Sequence, residues 1–179
     1  MNTALFDLIA REAPAPGRKL IVSLSKPAFD MHGGLARYNG KFEALISAHY
    51  TAAAILHDRA LTLTQFESSR YNDPALRRTA AEQVEVRLDP ALKGVEAKVE
   101  IENADGSRAS THCIHPRGSF ENPLSRSEVE DKLRAYGKGL LADAAIEEVI
   151  GMIVTLEDLP SVRALMDLLR APPRRLRAA

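Results

Sequence analysis

The chain has 179 residues, 45% of them hydrophobic, and 24 basic side chains balance 24 acidic ones, so its formal net charge is zero. A neutral chain of this length suits one domain, and it sets up no positive field to attract nucleic acid or an anionic membrane surface. The single Cys113 cannot form an internal disulfide, and no apolar stretch approaches the roughly 20 residues of a membrane span, so we expect a cytoplasmic protein.

The first 41 residues predict a helix, a linker, a buried strand and a long loop. Residues 3–12 have amphipathic spacing, and residues 13–17 contain two prolines and a glycine, which favour an extended linker. Residues 18–25 carry four apolar side chains without helical spacing, which indicates a buried strand. Residues 27–41 hold three glycines and a proline and predict the longest loop, and loops of that length are often functional.

A helical region follows this loop. Residues 42–57 are rich in alanine and predict one strong helix that is buried on most sides. A short helix is expected near Thr62. Another begins at Asp73, with Pro74 at the first helical position, and ends near Glu82.

The middle of the chain changes to the two-residue period of strands. Apolar side chains alternate with charged ones over residues 84–88 and 95–102, which predicts a sheet with one solvated face. Asp105 and Gly106 provide turn residues, so the second of these strands should return into residues 108–114 as a hairpin. We therefore expect an antiparallel run of three strands.

Three helices are predicted to complete the chain. Ser125 and Glu128 have capping-box spacing, and apolar stripes follow over residues 146–156 and 162–169. The order of elements predicts an α+β domain, an antiparallel sheet of about four strands with helices packed on one face. Its expected organisation is an N-terminal helix and linker at 1–17, the domain at 18–170 and a basic tail rich in proline and arginine at 171–179.

His49 and Tyr50 are the first candidates for chemistry. They lie on the alanine-rich helix, where a polar pair among small residues must face solvent or find a partner. One interpretation is a buried tyrosine with its hydrogen bond satisfied. The other is a phenol and an imidazole at a cleft, available for proton transfer or for holding a substrate carboxylate.

Other kinds of site are not expected. His112, Cys113 and His115 suggest a metal cluster, but alternate side chains of a strand point to opposite faces, so we predict no metal site. Gly33 and Gly34 are not followed by the lysine of a phosphate-binding loop, and no serine lies in a nucleophile elbow.

Several motifs in sequence resemble the small domain of the MmgE/PrpD family of 2-methylcitrate dehydratase-like enzymes. The string EALISAHYTAAAIL at residues 43–56 is similar to the segment that opens the central helix of that domain, and Ser47 and Tyr50 match its serine and tyrosine. The resemblance covers residues 41–170. It departs at Arg59, where the family has glycine. Further matching segments are 72–76, 84–89, 115–118, 122–125 and 130–133.

The resemblance implies a function as well as a fold. Members are cofactor-free dehydratases, decarboxylases and epimerases of small polycarboxylates, built from a large all-helical domain and a smaller lid with the active cleft between them. It implies that Tyr50 faces the cleft and is catalytic, and His49, at a neighbouring position that varies in the family, is the second catalytic candidate. Ser47 matches the motif and is a substrate-binding candidate, and Lys41 and Arg117 could bind a substrate carboxylate through charge-assisted hydrogen bonds. The helical domain has no counterpart in these residues, so a separate all-helical partner chain is implied.

Three hypotheses about function follow. The first is a lid subunit that completes a lyase or isomerase site with a helical chain, without a cofactor. The second is a non-catalytic remnant that acts as a binding or homodimerisation module. The third, an enzyme whose site lies wholly within this chain, is the weakest, because convergent acid and base groups are lacking.

Overall fold

The computed structural model describes residues 1–11 and 19–170. The predicted linker at 13–17 and the tail at 171–179 therefore lie outside the described residues. Within them, no helix combines the length and the apolar character that crossing a membrane requires. The strands are β1 (Lys19–Leu24), β2 (Val84–Leu88), β3 (Ala97–Glu102) and β4 (Arg108–Cys113). The α-helices are α1 (Asn2–Arg11), α2 (Lys26–His32), α3 (Lys41–Ile46), α4 (Ala48–Asp58), α5 (Ser68–Tyr71), α6 (Pro74–Glu82), α7 (Arg126–Gly137), α8 (Asp143–Val154) and α9 (Arg163–Leu168).

Contacts within the chain define two compact units, Met1–Pro123 and a second that begins at Leu124. The first unit contains the sheet and helices α1 to α6, and the second contains α7 to α9. Residues 18–170, predicted as one domain, fall in both units.

The four strands form one sheet in the order β2-β1-β3-β4. β1 pairs antiparallel with β3, and β3 with β4, as the hairpin signal predicts. The pair β1–β2 is parallel, so the expected antiparallel arrangement of residues 84–114 is wrong at its first strand. Helices α2 to α6 lie between β1 and β2 in the chain, and such a long crossover lets two strands run in the same direction. The α+β class is confirmed, with a sheet that is mixed and mostly antiparallel.

The two faces of the sheet differ in polarity because side chains alternate along each strand. On β3, Ala97, Val99 and Ile101 are buried in the same core as the apolar residues of α1, α4 and α6. The opposite face carries ion pairs. Lys19 Nζ lies 2.6 Å from Glu85, and Arg87 lies 2.9 Å from Glu100. Within the first unit, α1, α4 and α6 therefore pack on one face of the sheet, as predicted.

The predicted helix over 42–57 is interrupted at Ser47. Its backbone there is extended, with φ −80° and ψ 116°, and its hydroxyl accepts a hydrogen bond from the amide of Tyr50. Ser47 is thus the N-cap of α4, because a serine side chain can satisfy an amide that has no partner within the helix. The expected burial is confirmed, since eight consecutive residues of α4, from Ala48 to Ile55, are buried.

The first half of the predicted loop at 27–41 is helical. α2 has Pro27 in its first turn, where a missing amide hydrogen costs nothing, and Gly33 follows its last residue. Both are boundary signals of a short helix. The α3 helix begins at Lys41, so the irregular segment is limited to residues 33–40.

The second unit begins as predicted, with a capping box. Ser125 accepts from the amide of Glu128, and the Glu128 carboxylate accepts from the amide of Ser125. Arg134 on α7 forms an ion pair with Glu147 on α8 at 2.7 Å. Ile146, Val149 and Ile150 are the buried face of α8.

Candidate functional site

The first unit contains an open pocket of about 450 Å³. It lies between the first turn of α1, the end of α2, the junction of α3 and α4, and the start of β3. Leu24, Ala28, Ile46 and Val95 supply apolar parts of its wall, and polar groups interrupt them. The volume falls within the usual range for small-molecule sites. The polar residues of the wall are Asn2, Thr3, His32, Ser47, Thr51, Glu96 and Arg117.

His32 is held at the pocket by a backbone contact. Its Nδ1 lies 2.8 Å from the carbonyl oxygen of Ile46, the last residue of α3. A carbonyl oxygen only accepts, so Nδ1 carries the hydrogen and the other ring nitrogen, Nε2, is left for a further partner. The contact ties the end of α2 to the end of α3.

Two of the predicted substrate-binding residues, Ser47 and Arg117, meet at this pocket. The Ser47 hydroxyl also donates to the carbonyl of Leu35 at 2.6 Å, so it organises the chain on both sides of the α3–α4 junction. Arg117 Nη1 donates to the Asn122 side chain at 2.9 Å and to the carbonyl of Pro123 at 2.5 Å. Arg117 thus brings a positive charge to the pocket while stabilising the loop that carries it.

Tyr50 lies within the core. Its side chain has no exposed area, and its hydroxyl donates to the carbonyl of Gln65. The ring packs edge-on against Tyr38 with 4.9 Å between centroids, and Phe66 lies on its other side at 5.8 Å. Burial and the neighbouring Tyr38 raise the pKa of Tyr50 to about 12. This geometry matches the interpretation of Tyr50 as a satisfied buried tyrosine, and its catalytic role stays a prediction.

A helical turn explains why Tyr50 and the pocket are separate. Ala48 and Thr51 of α4 line the pocket. Tyr50 is two positions after Ala48, and a residue of an α-helix turns by about 100°, so its side chain leaves α4 on nearly the opposite side.

The other two predicted residues are also outside the pocket wall. His49 is 7% exposed, its Nδ1 has no hydrogen-bond partner among the described residues, and burial lowers its pKa. Lys41 is exposed at the first position of α3. The structure thus brings together two of the five predicted residues, and the roles of His49 and Lys41 stay predictions.

A polar cluster connects the end of α4 to α5 and α6. Asp58 accepts from the Gln65 side chain at 3.0 Å and from two nitrogens of Arg70, and Arg70 also lies 2.5 Å from Asp73. Burial opposes ionisation of Asp58, but the hydrogen bonds from Arg70 and Gln65 hold its pKa below its usual value. The cluster orders the segment that supplies the Gln65 carbonyl to Tyr50.

No group of three or more histidine, cysteine or carboxylate side chains in the described parts of the chain could hold a metal ion. Cys113 is buried, whereas His112 points to the charged side of the sheet and lies 3.6 Å from Glu96. His115 lies 3.4 Å from Glu121. The two histidines therefore have carboxylate neighbours of their own.

His32 is one of the pocket residues that the sequence analysis did not assign. Residues 27–41 were expected to be irregular, so no position was assigned to this side chain. Pro27 near the start and Gly33 directly after His32 are start and stop signals of a short helix. These two residues could have predicted that His32 ends a short helix.

Comparisons with known proteins agree with the resemblance. The sequence profile described as the MmgE/PrpD C-terminal domain matches residues 10–158. Cis-aconitate decarboxylase of Homo sapiens is 28% identical over 133 residues, which are 73% of this chain and 28% of that protein. Cis-aconitate decarboxylase of Mus musculus is 27% identical over 140 residues, 75% of this chain and 28% of that protein. The chain thus spans little more than a quarter of the length of these relatives.

Proposed function

Because the chain belongs to the MmgE/PrpD C-terminal domain family, we propose that it is the small domain or subunit of a lyase or isomerase. The substrate is a small polycarboxylate, and the reaction is a dehydration, decarboxylation or epimerisation that needs no cofactor. The observation that carries this proposal is the family match over residues 10–158. The relatives named as cis-aconitate decarboxylases support the substrate class.

The pocket of the first unit supports this function. Its wall combines apolar side chains with His32, Ser47 and Arg117, a mixture that suits an organic acid with both a carbon skeleton and carboxylates. Arg117 adds a charge that attracts carboxylates. In the proposal Ser47 and Arg117 contribute to substrate binding, and Lys41 lies at the rim of the cleft.

The catalytic contribution of α4 is a separate part of the proposal. Tyr50 and His49 would orient or protonate the substrate at a carbon next to a carboxylate. In the described conformation both side chains are buried, so this role requires that the partner chain open a path to them. Their alternative role is to hold α4 in position while the partner supplies the acid and base.

The proposed partner is an all-helical chain in the cytoplasm. The relatives are several times longer than the segment they share with this chain, and the resemblance implies that their remaining part is helical. A cleft closed between two such parts excludes water from the reacting atoms.

The second candidate function is a homodimerisation or binding module without catalysis. It is favoured by an apolar groove of about 370 Å³ between α7 and α8, whose wall includes Val129, Leu133, Ile153 and Val154. Val129 and Ile153 are about half exposed, and exposed apolar surface of this kind often marks an interface.

Sedimentation velocity distinguishes the two functions. The chain is measured alone and together with all-helical chains from the same organism that resemble the remaining part of the relatives. If the chain is a lid subunit, it should form a heterodimer with one of these helical chains, and any self-association should decrease. A homodimer that persists in every mixture, and that binds no polycarboxylate, would favour the non-catalytic module.

A further inference from the structure

We propose that the pocket of the first unit binds a substrate carboxylate through His32, and that Nε2 of this ring takes up a proton as the ligand binds. The inference rests on the proposed function, and it assigns the specificity for an acid group to a residue outside the family motif of α4. It also predicts a linkage between binding and protonation that can be measured on this chain without a partner.

The Ile46 carbonyl determines which form of the ring faces a ligand. Because this oxygen accepts from Nδ1, the neutral ring of His32 carries its only hydrogen there and presents a lone pair at Nε2. Nε2 has no hydrogen-bond partner among the described residues. A carboxylate is also an acceptor, so it can pair with Nε2 only after that nitrogen is protonated. Binding of an acid group therefore favours the charged ring.

The surroundings make this charged contact effective. Leu24, Ala28 and Val95 bring apolar surface to the pocket, and a charge-assisted hydrogen bond is stronger where water is displaced by such groups. Ser47 and Ala48, at the N-terminus of α4, line the same pocket and bring the positive end of that helix dipole close to it.

Other charged groups at the pocket have to be considered. Glu96 has His112 as its neighbour at 3.6 Å, and Arg117 is hydrogen-bonded to its own loop. Met1 also lines the pocket, and burial lowers the pKa of its amino group, so this group is a second potential proton acceptor. A test must separate His32 from Met1.

The experiment is calorimetry of the whole chain with tricarballylate, a saturated tricarboxylate, and with its uncharged triamide as a control ligand. Titrations slightly above neutral pH in buffers of different ionisation enthalpy measure the protons taken up on binding. We expect a net uptake of protons, less than one per tricarballylate bound, and no binding of the triamide. The variant His32→Asn keeps a donor for the Ile46 carbonyl but has no counterpart of Nε2. It should bind tricarballylate about tenfold or more weakly, without proton uptake.

Two controls make the result specific. His57→Asn changes an exposed histidine outside the pocket wall and should bind as the unchanged chain does. Thermal unfolding checks that His32→Asn is folded.

Three results would overturn the inference: no binding of tricarballylate, equal affinity of His32→Asn, or proton uptake that persists in this variant and so points to Met1. The proposed function is judged separately, because it requires turnover in a mixture with a helical chain. If a mixture turns over a polycarboxylate but binding to the chain does not depend on His32, only the role of His32 is rejected. If binding depends on His32 but no mixture shows turnover, only the proposed lyase function is rejected.

Discussion

The hydroxyl of Tyr50 donates to the backbone carbonyl of Gln65 inside the core of the first unit. Both groups are removed from solvent, and Tyr38 and Phe66 enclose the ring of Tyr50. The tyrosine that matches the family motif therefore joins α4 to the segment before α5. Its contribution to stability can be measured apart from any contribution to catalysis.

Replacement Tyr50→Phe should lower the free energy of unfolding by about 1–2 kcal/mol, because the buried Gln65 carbonyl loses its donor. Urea denaturation followed by circular dichroism measures the change. Tyr71→Phe is the matched control, since Tyr71 packs partly buried against the same core. An equal, small effect of both replacements would mean that the Tyr50 hydrogen bond contributes little.

Stability should depend on pH through His49. Burial lowers the pKa of His49 in the folded chain, whereas an unfolded histidine titrates near about 6.5. As pH falls below that value the unfolded chain takes up a proton that the folded chain does not, so stability decreases by at most about 1.4 kcal/mol per pH unit. Above the unfolded pKa this cost is absent. Urea denaturation between pH 7.5 and 5.5, about one unit on either side of that pKa, should give a steeper loss for the unchanged chain than for His49→Gln. Parallel curves would contradict the assignment.

The end of α2 should not tolerate a side chain at Gly33. A Cβ built there would lie 2.5 Å from Phe29 Cδ2 and 2.8 Å from the Phe29 carbonyl oxygen, so the backbone or the ring must move. Gly33→Ala should cost about 1–3 kcal/mol and displace His32 from Ile46. The neighbouring Gly34 has no heavy atom within 4 Å of an added Cβ, so Gly34→Ala should stay within about 0.5 kcal/mol. Chemical denaturation of both variants makes the comparison. If Gly33→Ala and Gly34→Ala lower the unfolding free energy equally, the close contact of Gly33 with Phe29 is not rigid.

The Asp58–Arg70 pair should contribute more to stability than the exposed pairs of the same unit. Asp58 accepts three hydrogen bonds and its side chain is 19% exposed, whereas Asp30, paired with Lys26, is 56% exposed. Asp58→Asn should therefore lower the unfolding free energy by about 1–3 kcal/mol. Asp30→Asn should change it by less than about 0.5 kcal/mol. Thermal unfolding of the two variants at equal ionic strength tests the difference, and a larger loss with Asp30→Asn would refute it.

Much of the fold follows from local patterns. The alternation in β3, the turn at Gly106 and the capping box at Ser125 correspond to a strand, a hairpin and a helix start. The parallel pairing of β1 with β2 could not be predicted in this way, because alternation tells which face a residue occupies and not which strand lies beside it.

The break at Ser47 shows why the boundary between α3 and α4 could not be predicted from composition. Alanine-rich composition favours helix on both sides of this residue, but the serine side chain competes for the amide of Tyr50 and ends one helix while capping the next. That competition is decided by packing at the α3–α4 junction, where Ser47 also meets the Leu35 carbonyl. Sequence alone contains the capping residue but not the contact that selects it.

The candidate site was only partly predictable for the same reason. Ser47 and Arg117 are far apart in the chain, and both line the pocket. Tyr50 follows Ser47 closely, yet the helical turn directs it to the core. His32 depends on a tertiary contact with Ile46, which no spacing in the sequence indicates.

A rate measurement decides whether this chain completes the active site of a polycarboxylate lyase or isomerase with a helical partner. Loss of small polycarboxylates, with cis-aconitate as one of the compounds tried, is followed for the chain alone, for the all-helical chain alone and for their equimolar mixture. We predict turnover only in the mixture, with a rate that saturates at one small chain per helical chain. Turnover by the small chain alone, or a stable heterodimer that converts neither cis-aconitate nor any other small polycarboxylate, would contradict it.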